Sequence, residues 1–363
     1  MRTDNRWGHP EAVEQGTYNY PGSNIFSIYS GLEEKTEEEL KSAREAYRKP
    51  LLDITMENLP VEWNNGGEWK TYYTEHGCPE EADAPPVRLM VRVPNSLKKD
   101  ELIPVMFCCS GGGLGSAGTP ELSIEYSSRL AIMIGKPIVI VTFEYRLAPI
   151  QYPAAINDLH AAYIWMLEHA EELKIDTDKI VIWGGSTGGH LALSGAFRLK
   201  RYSWCGAPMP RGVIAYTPVM DDVAYTDSFS YSFSDESGGT SWDSLGAQMN
   251  FRMWLGDRFG DPELPPEAVP NRATAEDIKG YPPVWFPICS EIDASRDSTY
   301  KFAQLLHQAG IFCDIHVWGG GSHQLMTIRG AEYGDLGTRV WDVFAGSVRD
   351  AITYDFRRTW LLE

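Results

Sequence analysis

VIWGGSTGGHLALSGAF, the stretch from Val181 to Phe197, decides the fold of this chain of 363 residues. Its centre, Gly184 to Gly188, is a G-x-S-x-G pentapeptide between a short apolar run and an amphipathic helical pattern. This pentapeptide has a mechanism only where a strand, a sharp turn and a helix follow one another. The stretch therefore predicts a strand-to-helix turn with Ser186 at its tip.

Ser186 is a candidate nucleophile because of this predicted turn. Gly184 and Gly188 remove the Cβ clashes that would arise where the strand and the helix pass close to the serine. The helix beginning there directs backbone N–H groups and its positive dipole end towards charge that forms on a substrate oxygen. A plainer interpretation is a glycine-rich turn with a serine cap, as in many nucleotide-binding folds, and the pentapeptide alone leaves both open.

The composition is that of a globular protein with a large core, since 43% of the residues are hydrophobic and 12% are aromatic. No apolar run approaches the roughly 18 residues that a membrane-spanning helix needs. The N-terminal residues lack the apolar region of a signal peptide. We therefore expect a cytoplasmic protein with no membrane span.

Charge and cysteine spacing exclude several kinds of partner. The formal net charge of -18 argues against nucleic acid and against an anionic membrane, because both are bound through a basic surface. The six cysteines are scattered without C-x-x-C spacing, which is not the pattern of a zinc site or of a disulfide framework. We expect no bound metal.

Predicted strands and helices alternate along most of the chain. Apolar runs predict strands, and the 3.6-residue periodicity predicts helices between them. The predicted strands are 87–93, 103–109, 137–141, 180–183, 212–216, 284–290 and 312–318, and the helices are 120–133, 154–173, 191–199 and 296–309. Such alternation with apolar strand cores predicts an α/β fold, in which helices cover both faces of a mostly parallel sheet.

Two segments break this alternation. Residues 1–85 are polar, lack strand alternation, and contain a predicted helix from Thr36 to Tyr47 that Pro50 should end. Residues 221–271 form a long aromatic-rich insertion, and an insertion of this length is usually a lid or a small subdomain. The prediction is therefore a catalytic domain of residues 86–220 and 272–363, an N-terminal cap segment 1–85 and an inserted lid 221–271.

A glycine run from Ser110 to Gly113 directly follows a predicted strand. Consecutive glycines let the backbone approach a ligand and aim N–H groups at an oxyanion, and one such donor contributes about 3 to 4 kcal/mol in acyl transfer. The predicted oxyanion hole consists of the N–H groups of Gly112, Gly113 and Thr187. The run in isolation is also compatible with a flexible loop.

A carboxylate and a histidine follow the last two predicted strands. Asp293 and Asp297 compete for the role of orienting the histidine, and Asp297 lies in a helical first turn, where it favours the dipole without any catalysis. Asp293 lies in the loop and is preferred. His323 follows a glycine run after the last strand, where it can meet a serine. The other histidines lie in predicted helices, in a strand or in the irregular N-terminal part.

With the order Ser186, Asp293, His323, the chain resembles the α/β-hydrolase superfamily and, within it, the hormone-sensitive-lipase-like esterases (alpha/beta hydrolase fold-3). The segment from Glu144 to Asp158 is similar to the block Y-R-L-A-P…P-A-A…D of that family. The resemblance implies an eight-stranded sheet with a cap made of the N-terminus and the insertion. It also implies a serine carboxylesterase that hydrolyses small to medium, moderately apolar esters through an acyl-enzyme, with no metal or organic cofactor.

The chain departs from the family pattern at four motifs. Ser110 replaces the histidine of H-G-G-G. In the motif G-D-S-A-G-G, Gly185 replaces the aspartate and Thr187 replaces the alanine beside the candidate nucleophile. The acid motif D-P-L continues from Asp293 as Ala-Ser, and H-G-F continues from His323 as Gln-Leu. The three triad residues are intact, so the departures concern the substrate.

Other functions use the same residues. The triad also serves amide, carbamate or lactone hydrolysis and acyl transfer to an alcohol. From another class, a small-molecule binding protein can use the hydrolase scaffold, although such receptors typically lack part of the triad. The expected partner is a small-molecule ester; the fold can also form a homodimer, for which no stretch identifies an interface.

Overall fold

The fold comes from a computed structural model that describes residues 35–57, 67–95, 97–98, 100–116, 118–202, 208–222, 244–291, 293–319, 323, 325 and 335–357. The predicted cap segments 1–85 and 221–271 lie partly outside these residues, as do residues 320–322 of the glycine run before His323. The division of the chain into a catalytic domain and two cap segments stays a prediction.

Eight strands form one sheet in the order β1-β2-β4-β3-β5-β6-β7-β8. β1 and β2, and β2 and β4, pair antiparallel, whereas all the other neighbours are parallel. The strands are β1 Trp69–Tyr73, β2 Arg88–Arg92, β3 Ile103–Cys109, β4 Val139–Phe143, β5 Ile175–Gly185, β6 Gly212–Tyr216, β7 Val284–Ser290 and β8 Cys313–Trp318. The predicted eight-stranded, mostly parallel sheet is confirmed.

Eight α-helices fall within the described residues. They are α1 Glu37–Glu57, α2 Ile124–Ile134, α3 Ala154–Glu168, α4 Thr187–Arg201, α5 Ser244–Leu255, α6 Ala275–Ile278, α7 Arg296–Gln308 and α8 Asp335–Thr353. Short 3-10 helices cover Pro120–Ser123, Gly256–Arg258 and Pro270–Arg272. In this part of the chain, no helix combines the length and the apolar character that a membrane crossing needs.

Alternate residues of the central strands face opposite sides of the sheet. In β5, Ile180 and Ile182 join one buried cluster, and Val181 and Trp183 join the other. Residues of α3, α4, α5 and α7 build the first cluster, and residues of α2 and α8 build the second. Both faces of β5 are therefore covered. This packing holds β5 in place, and Ser186 directly follows its last residue.

Two features differ from the predicted elements. β1 was not predicted, because its sequence WKTYY alternates only weakly and the strand is half exposed at the sheet edge. The sheet thus begins inside the range 1–85 assigned to the cap. The prediction that Pro50 ends the first helix is wrong, because α1 continues to Glu57. A proline in a helix interior removes one hydrogen bond and can kink the helix without ending it, and α1 is also held by buried Leu40 and by hydrogen bonds from Arg44.

Candidate active site

Ser186 lies between the end of β5 and the first residue of α4, in the predicted strand-to-helix turn. Its backbone angles are φ 56° and ψ -123°, a conformation that is rare for a residue other than glycine. A Cβ at Gly188 would lie 2.1 Å from the carbonyl oxygen of Cys109. The turn is thus strained and tightly packed against β3, and this geometry explains the second glycine of the pentapeptide.

Gly185 stands where the resembled family has an aspartate. A Cβ at this position would lie 1.7 Å from the ring of Tyr216 at the end of β6. The carbonyl oxygen of the same tyrosine accepts a hydrogen bond of 3.0 Å from the N–H of Ser186. In this chain the neighbouring strand therefore fills the space beside the nucleophile, and a larger residue at position 185 has no room.

Ser186, His323 and Asp293 form one hydrogen-bonded chain. His323 Nε2 lies 2.9 Å from Ser186 Oγ, and His323 Nδ1 lies 2.5 Å from Asp293 Oδ2. The carboxylate can only accept, which assigns the ring proton to Nδ1 and leaves Nε2 to accept the serine proton. The histidine side chain is 6% exposed and the aspartate side chain is fully buried. Water therefore hardly competes for these hydrogen bonds.

The two carboxylates that compete in the sequence have different surroundings. Asp293 follows β7, and its Oδ1 accepts a 2.7 Å hydrogen bond from the N–H of Ser295, which holds the carboxylate towards the histidine. Asp297 lies in the first turn of α7 and pairs with Arg296 at 2.7 Å. Asp293 thus contacts His323 Nδ1 directly, at 2.5 Å.

Ser110 anchors the glycine loop, which we define as residues 110–116. Its hydroxyl donates to the carbonyl of Thr119 at 2.8 Å and lies 2.8 Å from the hydroxyl of Ser123. The hydroxyl of Tyr145 donates to the carbonyl of Ser110 at 2.9 Å. These buried hydrogen bonds fix the start of the loop where the resembled family has a histidine.

The three N–H groups predicted as oxyanion donors are not equivalent. Gly112 and Gly113 both have positive φ angles, 97° and 84°. The N–H of Gly113 donates to the side-chain Oγ1 of Thr187 at 2.9 Å. Among the described residues, no acceptor is found for the N–H of Gly112, and the N–H of Thr187 opens helix α4, where no intrahelical acceptor exists. Two donors are thus open and the third is occupied.

Side chains from distant parts of the chain hold the rest of the glycine loop. The N–H of Leu114 donates to Oδ1 of Asn250 in α5 at 2.8 Å, and Asn250 is fully buried. From α1, Arg44 donates to the carbonyl of Gly115 at 2.9 Å and Arg48 to that of Ser116 at 3.2 Å. Helices from both predicted cap segments therefore contact this loop.

The sequence patterns do not identify Asn250, Arg44 and Arg48, nor the hydrogen bond from the Gly113 N–H to the Thr187 side chain. The isolated polar residue Asn250 in an aromatic-rich helical run is a signal that could have been noticed. The two arginines lie four residues apart in a charged helix, and nothing in that pattern points to the loop. Their contacts arise only from tertiary packing.

His190 connects the turn to the inserted helix. It is fully buried in α4, its Nδ1 donates to the carbonyl of Val219 at 2.7 Å, and its ring packs against Phe251 and Trp254 of α5. Burial away from water lowers the pKa of His190 to about 4, so the ring is neutral at pH 7. Aromatic contacts thus join the inserted helix α5 to the helix that follows Ser186.

No group of three or more His, Cys, Asp or Glu side chains in the described part of the chain is arranged to hold a metal ion. The polar groups described at the site are the serine, the imidazole, the carboxylate and the backbone donors. Such a set can activate an alcohol as a nucleophile and bind an oxyanion.

Comparisons with known proteins identify the family of the chain. A model of the alpha/beta hydrolase fold matches residues 107–327, well over half of the chain. The chain is 24% identical over 277 residues to Esterase LipI of Mycobacterium tuberculosis, an alignment that covers 75% of this chain and 76% of that protein. It is 28% identical over 214 residues to Carboxylesterase NlhH of the same species, covering 59% of this chain and 63% of that protein.

A solved structure gives the same result for the fold. The chain superposes on a bacterial heroin esterase with a TM-score of 0.74 and 24% sequence identity, covering 90% of this chain and 97% of the other. At this identity the similarity concerns the fold alone. Together with the family match and the esterase relatives, these observations show that the chain belongs to the α/β-hydrolase fold family and is an ester-hydrolysing enzyme.

Proposed function

We propose that the protein is a serine carboxylesterase that hydrolyses small to medium, moderately apolar esters through an acyl-enzyme. Ser186 is the nucleophile, His323 the general base and acid, and Asp293 the residue that orients the imidazole. The observation that carries the proposal is the continuous hydrogen-bonded chain from Asp293 Oδ2 through both ring nitrogens to Ser186 Oγ, with distances of 2.5 and 2.9 Å.

In the first step, Ser186 Oγ attacks the ester carbonyl while His323 Nε2 takes the hydroxyl proton. The positive charge that forms on the imidazole is stabilised by Asp293, which also keeps the required tautomer. The carbonyl oxygen becomes an oxyanion facing the N–H groups of Gly112 and Thr187. The alkoxide then leaves with the proton from His323, which gives an alcohol and acylated Ser186.

In the second step, water replaces the alcohol. His323 takes a proton from the water, whose oxygen attacks the acyl carbonyl, and the same N–H groups bind the second oxyanion. Collapse of this intermediate returns the proton to Ser186 Oγ and releases the carboxylic acid. The two half-reactions balance with one water consumed per ester, and the protein's own groups carry every proton.

We also propose that residues 1–85 and 221–271 contribute a cap over this site. The proposal is supported by α1 and α5, since Arg44, Arg48 and Asn250 from these helices hydrogen-bond to the glycine loop. The buried Phe251 and Trp254 make the inserted helix apolar near the turn. An apolar cap favours substrates with a moderately apolar acyl or alcohol group.

The test is the variant Ser186→Ala, assayed with p-nitrophenyl acetate, butyrate and octanoate. We expect kcat to fall on the order of 10⁶-fold, because the proposed mechanism depends on the Ser186 hydroxyl as the nucleophile. Mass spectrometry should detect an acyl adduct on the peptide containing Ser186 in the wild type only. Ser194→Ala, which changes a buried serine two turns further along α4, is the matched control and should keep the activity. Undiminished turnover by Ser186→Ala would refute the serine mechanism.

A further inference from the structure

Thr187 carries a hydroxyl directly after the nucleophile, where the resembled family has alanine. The side chain is 1% exposed, and its Oγ1 accepts the N–H of Gly113 at 2.9 Å. In the part of the chain that the structure describes, the hydroxyl proton of Thr187 has no acceptor. This proton is buried next to the residue that attacks the substrate.

We propose that the hydroxyl of Thr187 is a catalytic donor to the oxyanion, polarised by the N–H of Gly113. The inference rests on the proposed serine mechanism and adds a residue to it. The oxyanion hole then consists of the N–H groups of Gly112 and Thr187 together with the Thr187 hydroxyl. Gly113 contributes through this hydroxyl instead of contacting the oxyanion.

The hydroxyl of Thr187 accepts from one of the N–H groups that were predicted to bind the oxyanion. The Gly113 N–H was expected to point at the oxyanion, and it points at Thr187 Oγ1. In the proposed geometry, the hydroxyl takes the place of the Gly113 N–H as the group that faces the oxyanion. Thr187 also supplies one of the open backbone N–H groups, so this residue provides two of the three proposed donors.

A hydroxyl at this point can act in two ways. It can donate to the oxyanion, or it can occupy the oxyanion hole and keep the substrate oxygen out. Its lone pair is already directed at the Gly113 N–H, whereas its proton can rotate about the Cβ–Oγ1 bond without movement of any heavy atom. A developing negative charge attracts this proton, and a hydrogen bond from a hydroxyl to an anion is among the stronger kinds. Accepting the N–H further strengthens the hydroxyl as a donor. Electrostatics therefore favours the donor, and no proton is transferred from Thr187 in any step.

The proposed role of Thr187 predicts a different kcat for each of three substitutions at this position. Thr187→Val keeps the shape but has no hydroxyl, and we expect kcat to fall about 100-fold with KM changed by less than about threefold, the loss typical of one oxyanion donor. Thr187→Ala should lose at least about tenfold in kcat. Thr187→Ser keeps a hydroxyl in reach of Gly113 and should stay within about fivefold of the wild type.

The experiment compares these variants with wild type and Ser186→Ala on p-nitrophenyl butyrate. A second readout is inhibition by a trifluoromethyl ketone, which forms a tetrahedral adduct with serine, beside inhibition by butyrate as product. We expect Thr187→Val to raise the inhibition constant of the ketone by the same factor by which it lowers kcat/KM. The inhibition constant of butyrate should not change. Equal Tm values in thermal melts establish that the variants are folded.

Two results would overturn the role of Thr187. Wild-type kcat in Thr187→Val would show that the hydroxyl contributes nothing, and a faster Thr187→Ala would show that the hydroxyl blocks the hole. Either result, with Ser186→Ala inactive, leaves the serine mechanism in place. An active Ser186→Ala refutes that mechanism itself, whatever the threonine variants do.

Discussion

The triad and the glycine loop, the two halves of the site, are held in different ways. Ser186, Asp293 and His323 each follow the carboxyl end of a sheet strand, β5, β7 and β8, so the order of the strands brings them together. The glycine loop also follows a strand, β3, but its individual peptides are oriented by side chains of Thr187 and Asn250 and of helix α1. Thr187, Asn250 and Arg44 of α1 lie 74, 136 and 71 residues from their partners in the sequence.

This difference separates the groups proposed to transfer protons from the groups proposed to bind the oxyanion. The proposed nucleophile and base follow the ends of sheet strands, whereas the glycine loop, which carries a proposed oxyanion donor, also contacts α1 and α5. A change on the triad side should abolish the proton transfers. A change on the loop side should leave them intact and weaken only the binding of the oxyanion.

The largest effect is expected on the triad side, in Asp293→Asn. The amide has the same shape but offers an N–H₂ group towards His323 Nδ1, so the ring adopts the tautomer whose Nε2 cannot take the serine proton. Such a change costs about 10⁴-fold in kcat in a comparable triad. Steady-state kinetics on p-nitrophenyl butyrate measure this loss.

The matched control is Asp297→Asn, because Asp297 lies in the first turn of α7 and forms an ion pair with Arg296 at 2.7 Å. We expect its kcat to stay within about twofold of the wild type, because the proposed role of orienting the imidazole belongs to Asp293, which lies 2.5 Å from His323 Nδ1. If Asp297→Asn lost as much activity as Asp293→Asn, the assignment of the orienting carboxylate would be wrong.

A smaller effect is expected on the loop side, in Asn250→Leu. Leucine has a similar size and offers no acceptor, so the N–H of Leu114 loses its partner and the peptide next to Gly113 is free to shift. A misplacement of about 1 Å at such a site can cost 10²-fold in rate. We expect kcat to fall by about this factor with little change in KM, as measured on the same ester.

Two control variants test whether this loss of kcat comes from the missing acceptor, Oδ1 of Asn250. Asn250→Asp keeps an oxygen at the same position and should recover much of the lost kcat. Arg252→Ala removes an exposed side chain from the same helix and should have no effect on kcat. Full activity of Asn250→Leu would mean that the loop holds its own conformation, and the contrast between the two halves would disappear.

The same contrast separates what the sequence predicts from what it does not. Strands β3, β6 and β7 agree with the predicted ranges to the residue, because their apolar runs end in clear turn residues. The three triad residues come together as predicted, since each follows a strand whose place in the fold is given by the pattern. Local sequence determines these features.

The remainder of the site depends on side chains that meet only in the folded chain. The hydrogen bond between Gly113 and Thr187 joins the glycine loop to the first residue of α4, and nothing in either motif indicates that a threonine side chain would accept from one predicted donor. The edge strand β1 was missed because an edge strand with one exposed face needs little apolar sequence. Such features need the packing of the whole molecule.

The smallest effect is on stability, and it concerns His190, which links both halves by packing against α5 from within α4. The pKa of His190 is about 4 in the folded protein and roughly 6.5 in an unfolded chain. The unfolded state therefore binds a proton first as the pH falls, and the stability that is fully present above about pH 6.5 is lost towards pH 4. Between pH 7 and pH 5 this histidine should lower the free energy of unfolding by about 2 kcal/mol.

Urea unfolding at pH 8, 7 and 5 tests this expectation, with little change between the first two values and a clear loss at the third. In His190→Gln the amide can still donate to the Val219 carbonyl, but the group no longer titrates. The variant should therefore lose less stability between pH 7 and pH 5 than the wild type does. Part of the dependence should remain, because burial also lowers the pKa of His160 to about 4. An identical pH dependence in both proteins would mean that His190 is not the neutral buried link between the turn and the inserted helix.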